Sequence, residues 1–256
     1  AETSTIARSF TERGYEKVEQ KEQADLFVIN TCTVTENAEK KCKSLIKQAR
    51  KNNPSIQIAV VGCYSQLRPD HTSLFEGVDY VLGNEEKFKL VEHVEKAYDN
   101  CYTVAGDINN SKVFSPSYSL GDRTRSFLKI QDGCDYFCTF CAIPFARGHS
   151  RSDSIENIIK QAQTIAAQGT QELILTGVNI GTFGEKSGSS LFELLKELEQ
   201  VEGIQRIRIS SIEPNLLSDE IIDLVVKSNV IMYFIMLTKK TLIKKKFYIR
   251  IGQYFC

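Results

Sequence analysis

The chain has 256 residues, of which 42% are apolar and 25% charged; this excludes a disulfide-stapled miniprotein, a disordered chain and a coiled coil. The formal charge is zero, yet Asn229 to Cys256 holds six Lys/Arg and no acid, leaving 26 basic against 32 acidic residues before it. The body therefore has no global cationic field for nucleic acid, and any basic partner site must be local.

The N-terminus opens on the polar run Ala1-Glu2-Thr3-Ser4-Thr5, without a basic segment and apolar core of the secretory kind. The first hundred residues then alternate apolar runs with helix-period segments, the pattern of βαβ units on a parallel sheet. Strands are expected at Leu26 to Ile29, Ile56 to Val61 and Val78 to Leu82. The first two lead into Asn30-Thr31-Cys32 and Gly62-Cys63-Tyr64, so both thiols belong at carboxyl ends of strands, the edge where open α/β sheets bind ligands. Residues 1–105 read as this first domain. Gly106 to Thr124 is rich in Ser, Asn, Asp and Gly, and 106–125 reads as a linker.

A second domain, 126–228, begins with a strand at Phe127 to Ile130 and a Cys-rich loop. A helix from Ser154 to Gln168 follows, with Ser152, Asp153 or Ser154 as N-cap and Gly169 as stop. Strands at Leu173 to Thr176 and Ile204 to Ile209 alternate with helices at Leu191 to Gln200 and Asp219 to Lys227. Three successive βα units predict an α/β chain whose second domain is an incomplete parallel (β/α) barrel, with functional groups at strand carboxyl ends. The longest apolar run, Val230 to Leu237, is far short of the about 20 residues that cross a bilayer, so no membrane partner and a cytoplasmic setting are expected.

Eight cysteines in such a setting suit metal ligands or buried apolar residues better than disulfides. Cys134, Cys138 and Cys141 form a C-x3-C-x2-C cluster directly after a strand. Three thiolates from one loop can hold three irons of a [4Fe-4S] cube and leave the fourth open to a substrate. Structural zinc wants four ligands, and only His149 is near enough in sequence to be the fourth. A pure electron carrier would close its cluster with a fourth cysteine.

The C-x3-C-x-aromatic-C signature, with Phe140 as the aromatic, resembles the radical S-adenosylmethionine (SAM) superfamily. Lys129-Ile130-Gln131-Asp132-Gly133-Cys134, Ile143-Pro144-Phe145-Ala146-Arg147-Gly148 and Ser150-Arg151-Ser152 resemble its methylthiotransferase family. Arg123-Thr124-Arg125, Asn30-Thr31-Cys32-Thr33-Val34-Thr35 and Leu175-Thr176-Gly177-Val178-Asn179-Ile180-Gly181 resemble the branch acting on N6-threonylcarbamoyladenosine in tRNA, over residues 1 to about 228.

The resemblance implies that SAM chelates the open iron and is cleaved by an electron from the cluster to a 5′-deoxyadenosyl radical. A methylthio group then replaces hydrogen on C2 of the adenosine at tRNA position 37. The protein positions the reactants and excludes water. Phe140 would lie near the adenine, and Thr176, Gly177, Ser210 and Ser211 would line the SAM pocket, although small residues at strand ends also serve tight packing. No side chain is assigned acid–base catalysis, and His149 reads as a local hydrogen-bond donor.

The family also implies an auxiliary, sulfur-donating [4Fe-4S] cluster on three cysteines. Cys32 and Cys63 match two of them, and the third belongs to a Gly-Cys segment upstream of residues like Glu2-Thr3-Ser4, so one complete cluster is expected here. Cys42 and Cys101 read as core or surface thiols. Arg123, Arg125, Arg147 and Arg151 would contact tRNA phosphates, the alternative being ion pairs with carboxylates such as Glu172 or Glu213. A reducing electron donor is the other implied partner; oligomeric state is not legible.

Two other functions fit the same residues: a methylthiotransferase acting on a ribosomal protein aspartate, and an iron–sulfur electron-transfer or scaffold protein. Residues 229–256 depart from the family, which continues with further barrel units and a small RNA-binding domain. Their Ile, Lys, Tyr and Phe bias is what an AT-rich gene read in a shifted frame gives, so this tail reads as foreign to the fold and the chain as an inactive fragment.

Overall fold

The computed structural model describes residues 1–19, 22–32, 36–96, 98, 100–121 and 124–233. In the first half, α1 (Glu2–Glu12) precedes β1 (Leu26–Thr31), α2 (Glu36–Asn52), β2 (Gln57–Gly62), α3 (Cys63–Leu67), α4 (Pro69–Ser73), β3 (Tyr80–Leu82), α5 (Leu90–Lys96) and β4 (Tyr102–Val104). The four strands form one parallel sheet in the order β1-β2-β3-β4. Its central strands are nearly all apolar because both faces are covered. Ala59 and Val61 of β2 pack with Ile6, Phe10 and Leu90 on one side, while Ile58 and Val60 pack with Ile46, Tyr64 and Phe75 on the other. The fourth strand was not expected from the sequence, since Tyr102–Val104 is too short to show a period.

The second half contains β5 (Ser117–Tyr118), β6 (Ser126–Lys129), β7 (Gln131–Asp132), α6 (Ile143–Arg147), β8 (Arg151–Ser152), α7 (Ile155–Ala167), β9 (Glu172–Thr176), α8 (Leu191–Glu199), β10 (Arg206–Ile209), α9 (Asp219–Lys227) and β11 (Ile231–Tyr233). Its main sheet runs β11-β10-β9-β6-β5, parallel except for β5. Ser154, Ser190 and Ser218 cap α7, α8 and α9 by accepting from backbone N–H groups one turn on. The helices bury Ile158, Ile165, Leu194, Leu195 and Ile221 against Leu128, Leu173, Leu175 and Ile207 of the sheet. This is the expected α/β architecture, a parallel open sheet followed by an incomplete barrel.

Two boundaries differ from expectation. The stretch expected as a linker contributes edge strand β5, and Ser111, Ser117 and Ser119 in it are buried: Ser119 Oγ accepts from Phe127 N at 2.9 Å, and Ser119 O accepts from Ser126 Oγ of β6 at 2.5 Å. Polar composition here satisfies the backbone of a short edge. Beyond Ser228 the sheet continues, because Ile231 and Tyr233 pair in register with Ile207 and Ile209 of β10. The compositional change at Asn229 is thus not the end of the sheet; the tail from residue 234 lies outside the described residues. Among the described residues no helix is long and apolar enough to cross a membrane.

Candidate metal centre

Strand β6 ends at the carboxyl edge of the main sheet, and the chain passes through Ile130 into β7. Strand β7 pairs antiparallel with β8, joining Gln131 to Ser152 and Asp132 to Arg151. This small ladder clamps both ends of the segment that carries Cys134, Cys138 and Cys141. Inside the clamp Cys134 N donates to Gly148 O at 3.0 Å, and Cys141 N donates to Cys138 O at 2.9 Å. Gly133 enters the loop at φ +73°, where a Cβ would lie 2.0 Å from His149 O, so this position admits only glycine without displacing backbone.

Cys138 is exposed, Cys134 and Cys141 are half-buried, and Phe140 is fully exposed beside them. Burial pushes the Cys134 thiol up, against a hydrogen bond from the Tyr136 backbone, and the neighbouring Cys141 and Cys138 thiols push it further. Three thiols thus share one short, clamped loop, a donor set suited to a soft metal or cluster. Among the described residues no three His, Cys, Asp or Glu groups converge on one ion position. His149 Nδ1, the only other donor near the loop in sequence, lies 2.6 Å from Asp135 Oδ1. A cube places each thiolate on its own iron, so three soft, partly exposed donors spread over one loop fit it.

The residues expected to face SAM share this edge. Thr176 ends β9 and donates through Oγ1 to Leu128 O at 3.2 Å; Ser210 follows β10 and donates through Oγ to Leu175 O at 2.6 Å. Ser211 adopts φ 50°, and its carbonyl accepts from Ile180 N at 3.0 Å. Gly177 lies against Gln131, since a Cβ there would come within 2.8 Å of Gln131 Oε1. Both hydroxyls are thus occupied with strand carbonyls, and the loops that follow reach the cysteine loop through Lys186, 2.9 Å from Asp135, and Asn215, which donates to Tyr136 Oη at 3.0 Å.

Cys32 and Cys63 follow β1 and β2, whose register pairs Thr31 with Gly62, so the two cysteines leave neighbouring strands at one edge. Cys32 is exposed and Cys63 is buried. Asn84 Nδ2 donates to Cys63 Sγ at 3.4 Å and to Ala146 O at 2.6 Å, which ties this thiol to α6 of the second half. Cys42 lies in the core, and burial pushes its thiol up to about 11; Cys101 is exposed.

The arginines divide. Arg147 places Nη1 3.1 Å from Glu2 and 2.9 Å from Asp132; burial opposes its charge, but Asp132 and Glu2 hold it firmly protonated. Arg151 donates to the carbonyls of Val113, Arg147 and His149 and lies 3.6 Å from Asp132. These two cations serve internal partners, the ion-pair alternative, though with Glu2 and Asp132 as carboxylates. Glu172 instead meets Arg206 and Arg208, and Glu213 gives its backbone N–H to Asn179. Arg125 is exposed, and Arg123 lies outside the described residues.

Sequence reasoning missed the centre of this arrangement. Glu2 bridges Lys87 at 2.7 Å, Lys129 at 3.1 Å and Arg147, while Lys129 also reaches Asp132 at 3.2 Å. Burial raises the Asp132 carboxyl, and the Lys129 and Arg147 cations reverse this and hold it far below the usual range. Lys129 and Asp132 lie three residues apart, but Glu2 is 127 residues from Lys129 and no local pattern announces it.

Residues 1–83 match the family described as Uncharacterized protein family UPF0004, and residues 128–239 match the Radical SAM superfamily. The chain is 41% identical to threonylcarbamoyladenosine tRNA methylthiotransferase MtaB of Bacillus subtilis (strain 168), over 90% of this chain and 52% of that protein. It is 36% identical to the MtaB of Aquifex aeolicus (strain VF5), over 88% and 56% respectively. With tRNA-2-methylthio-N(6)-dimethylallyladenosine synthase of Clostridium perfringens (strain 13 / Type A) the identity is 31%, over 82% and 49%. The chain spans about half the length of the curated relatives it matches. A solved radical S-adenosylmethionine methyltransferase, TsrM from Kitasatospora setae with cobalamin and [4Fe-4S] cluster bound, aligns at TM-score 0.46 and 13% identity over 89% of this chain and 59% of its own, too distant to bear on function. With both halves matched in order and the three-cysteine loop at the head of the second, the chain belongs to the radical SAM methylthiotransferase family.

Proposed function

We propose that this chain carries the catalytic part of a tRNA methylthiotransferase that acts on C2 of N6-threonylcarbamoyladenosine. The observation that carries the reading is the clamped loop at the sheet's carboxyl edge, which presents three half-buried or exposed thiols. Cys134, Cys138 and Cys141 hold a [4Fe-4S] cluster, and Phe140, Thr176, Gly177, Ser210 and Ser211 surround SAM. Bound there, cluster and SAM supply one-electron reduction and hydrogen-atom abstraction; the electron comes from an external reducing partner. Cys32 and Cys63 belong to the sulfur-donating site, and exposed Arg125 meets the RNA backbone together with Arg123. The substrate rests on the relatives' names, since identity is higher to the threonylcarbamoyladenosine enzymes, at 41% and 36%, than to the dimethylallyladenosine synthase at 31%.

Anaerobic reconstitution with iron and sulfide, followed by dithionite and SAM, should yield 5′-deoxyadenosine and methionine. A loaded cluster that never cleaves SAM would return the chain to the electron-carrier class. Mass analysis of tRNA nucleosides from cells lacking the gene should show N6-threonylcarbamoyladenosine without its methylthio group; unchanged nucleosides with an altered ribosomal protein aspartate would move the substrate to protein.

A further inference from the structure

Gln131 is fully buried and lies between the cysteine loop and the loop that follows β9. Its Oε1 accepts from the backbone N–H groups of Val178 and Asn179, both at 2.9 Å. Its Nε2 donates to Gly133 O at 2.7 Å, to Asp132 O at 3.2 Å and to Ser150 Oγ at 3.0 Å. Ser150 Oγ is 2.9 Å from Thr182 Oγ1, and Thr182 Oγ1 donates to Asn179 O at 2.9 Å. The circuit returns to Gln131 through Asn179 N, so four residues no more than 6% exposed close a hydrogen-bond ring.

With the Thr182 hydroxyl proton on Asn179 O, the remaining directions in the ring follow. Thr182 gives its hydroxyl proton to Asn179 O, so toward Ser150 it can only accept; Ser150 accepts from Gln131 and donates to Thr182. Gln131 uses both ends of its amide, and neither a carboxylate nor an apolar side chain of equal length reproduces the pattern. The approach is also close: a Cβ on Gly177 would come within 2.9 Å of the Gln131 carbonyl, so the β9 loop rests directly on this residue.

We propose that Gln131 is a positioning residue that sets the cluster loop in register with the SAM-side loop, with Ser150 and Thr182 as its supports. One end of its amide holds the carbonyl of Gly133, immediately before Cys134; the other holds the turn after Gly177. A ligand held between the two loops would need both at one separation, and this ring sets that separation. The inference rests on the proposed reading of the edge as a cluster and SAM site.

The test uses the reconstituted chain and its Ser150→Ala, Thr182→Val and Gln131→Met variants, measuring iron content, thermal midpoint, SAM dissociation constant and the change SAM makes in the reduced-cluster EPR signal. The two milder variants should keep wild-type iron content and weaken SAM binding by about threefold to tenfold; Gln131→Met should weaken it by more than about tenfold and diminish the SAM-induced spectral change. Variants that hold the cluster and bind SAM within twofold of wild type overturn the proposal. Loss of iron in proportion to loss of SAM binding also overturns it, because the ring then only supports the cysteine loop. A wild-type chain that loads its cluster and shows no SAM effect refutes the underlying reading of the site instead.

Discussion

Replacing Cys134, Cys138 or Cys141 with Ala removes one of three thiolates from a loop that holds no fourth cysteine. Each variant should lose SAM cleavage and fall below the about four irons that a single cube contributes, as read by iron and sulfide analysis. Wild-type iron content with retained cleavage in any one variant would remove that residue from the ligand set. Cys42 is the internal control: burial pushes its thiol up to about 11, so it should resist alkylation near pH 8 and Cys42→Ala should leave iron uptake unchanged. The chain should take up one cube, because Cys32 and Cys63 offer two thiols at the carboxyl ends of β1 and β2. About eight irons per chain with two distinct paramagnetic signals would show that another group completes that second site.

At the scale of elements, the β7–β8 ladder matters more than its two-residue strands suggest. It closes the cysteine loop at its base, and Gly133 makes the turn into the loop at φ +73°. Gly133→Ala would drive a methyl group into His149 O, so it should lower the thermal midpoint and sharply reduce iron incorporation. Ser190→Ala is a useful contrast. Ser190 and Glu193 form a capping box on α8, and its loss should cost about 1 kcal/mol by urea unfolding with normal cluster loading. If both variants loaded iron equally, the turn at Gly133 would be serving the fold alone.

Across the whole molecule, Glu2 joins the two halves. From the first turn of α1 it contacts Lys87 in its own half and Lys129 and Arg147 in the other, all largely buried. Burial raises the Glu2 carboxyl, and the Lys87, Arg147 and Lys129 cations together hold it well below the usual range. A carboxyl depressed on folding contributes stability that is present above its unfolded value of about 4.3 and is lost as pH falls below it. Glu2→Gln leaves the cations under-compensated and should cost about 3–5 kcal/mol at pH 7. The same variant should flatten the acid limb of the stability profile below about pH 4.3, and its urea transition should split as the halves unfold separately. A single transition with wild-type midpoint and acid limb would show that the halves are held by their apolar contacts.

The sequence by itself determined most of the elements and the heart of the site. Apolar runs, helical periods and Ser caps are written in adjacent residues, so α7, α8, α9 and the strands that end at Thr176 and Ile209 fall close to where the pattern puts them. The C-x3-C-x2-C spacing is equally local, so the candidate cluster loop is legible in adjacent residues. The short pairs escaped this reading, because two or three residues show no period: β4, β5 and β11 exist through the neighbours they pair with. Only the tertiary structure decided which charges are spent. Arg147 looked like a phosphate contact until its partner proved to be Glu2, 145 residues away, and Gln131 showed its role through Val178 and Asn179, 47 and 48 residues on. Spacing along the chain carries a ligand set that one loop supplies, whereas buried ion pairs and closed hydrogen-bond rings join remote residues and take their partners from the fold.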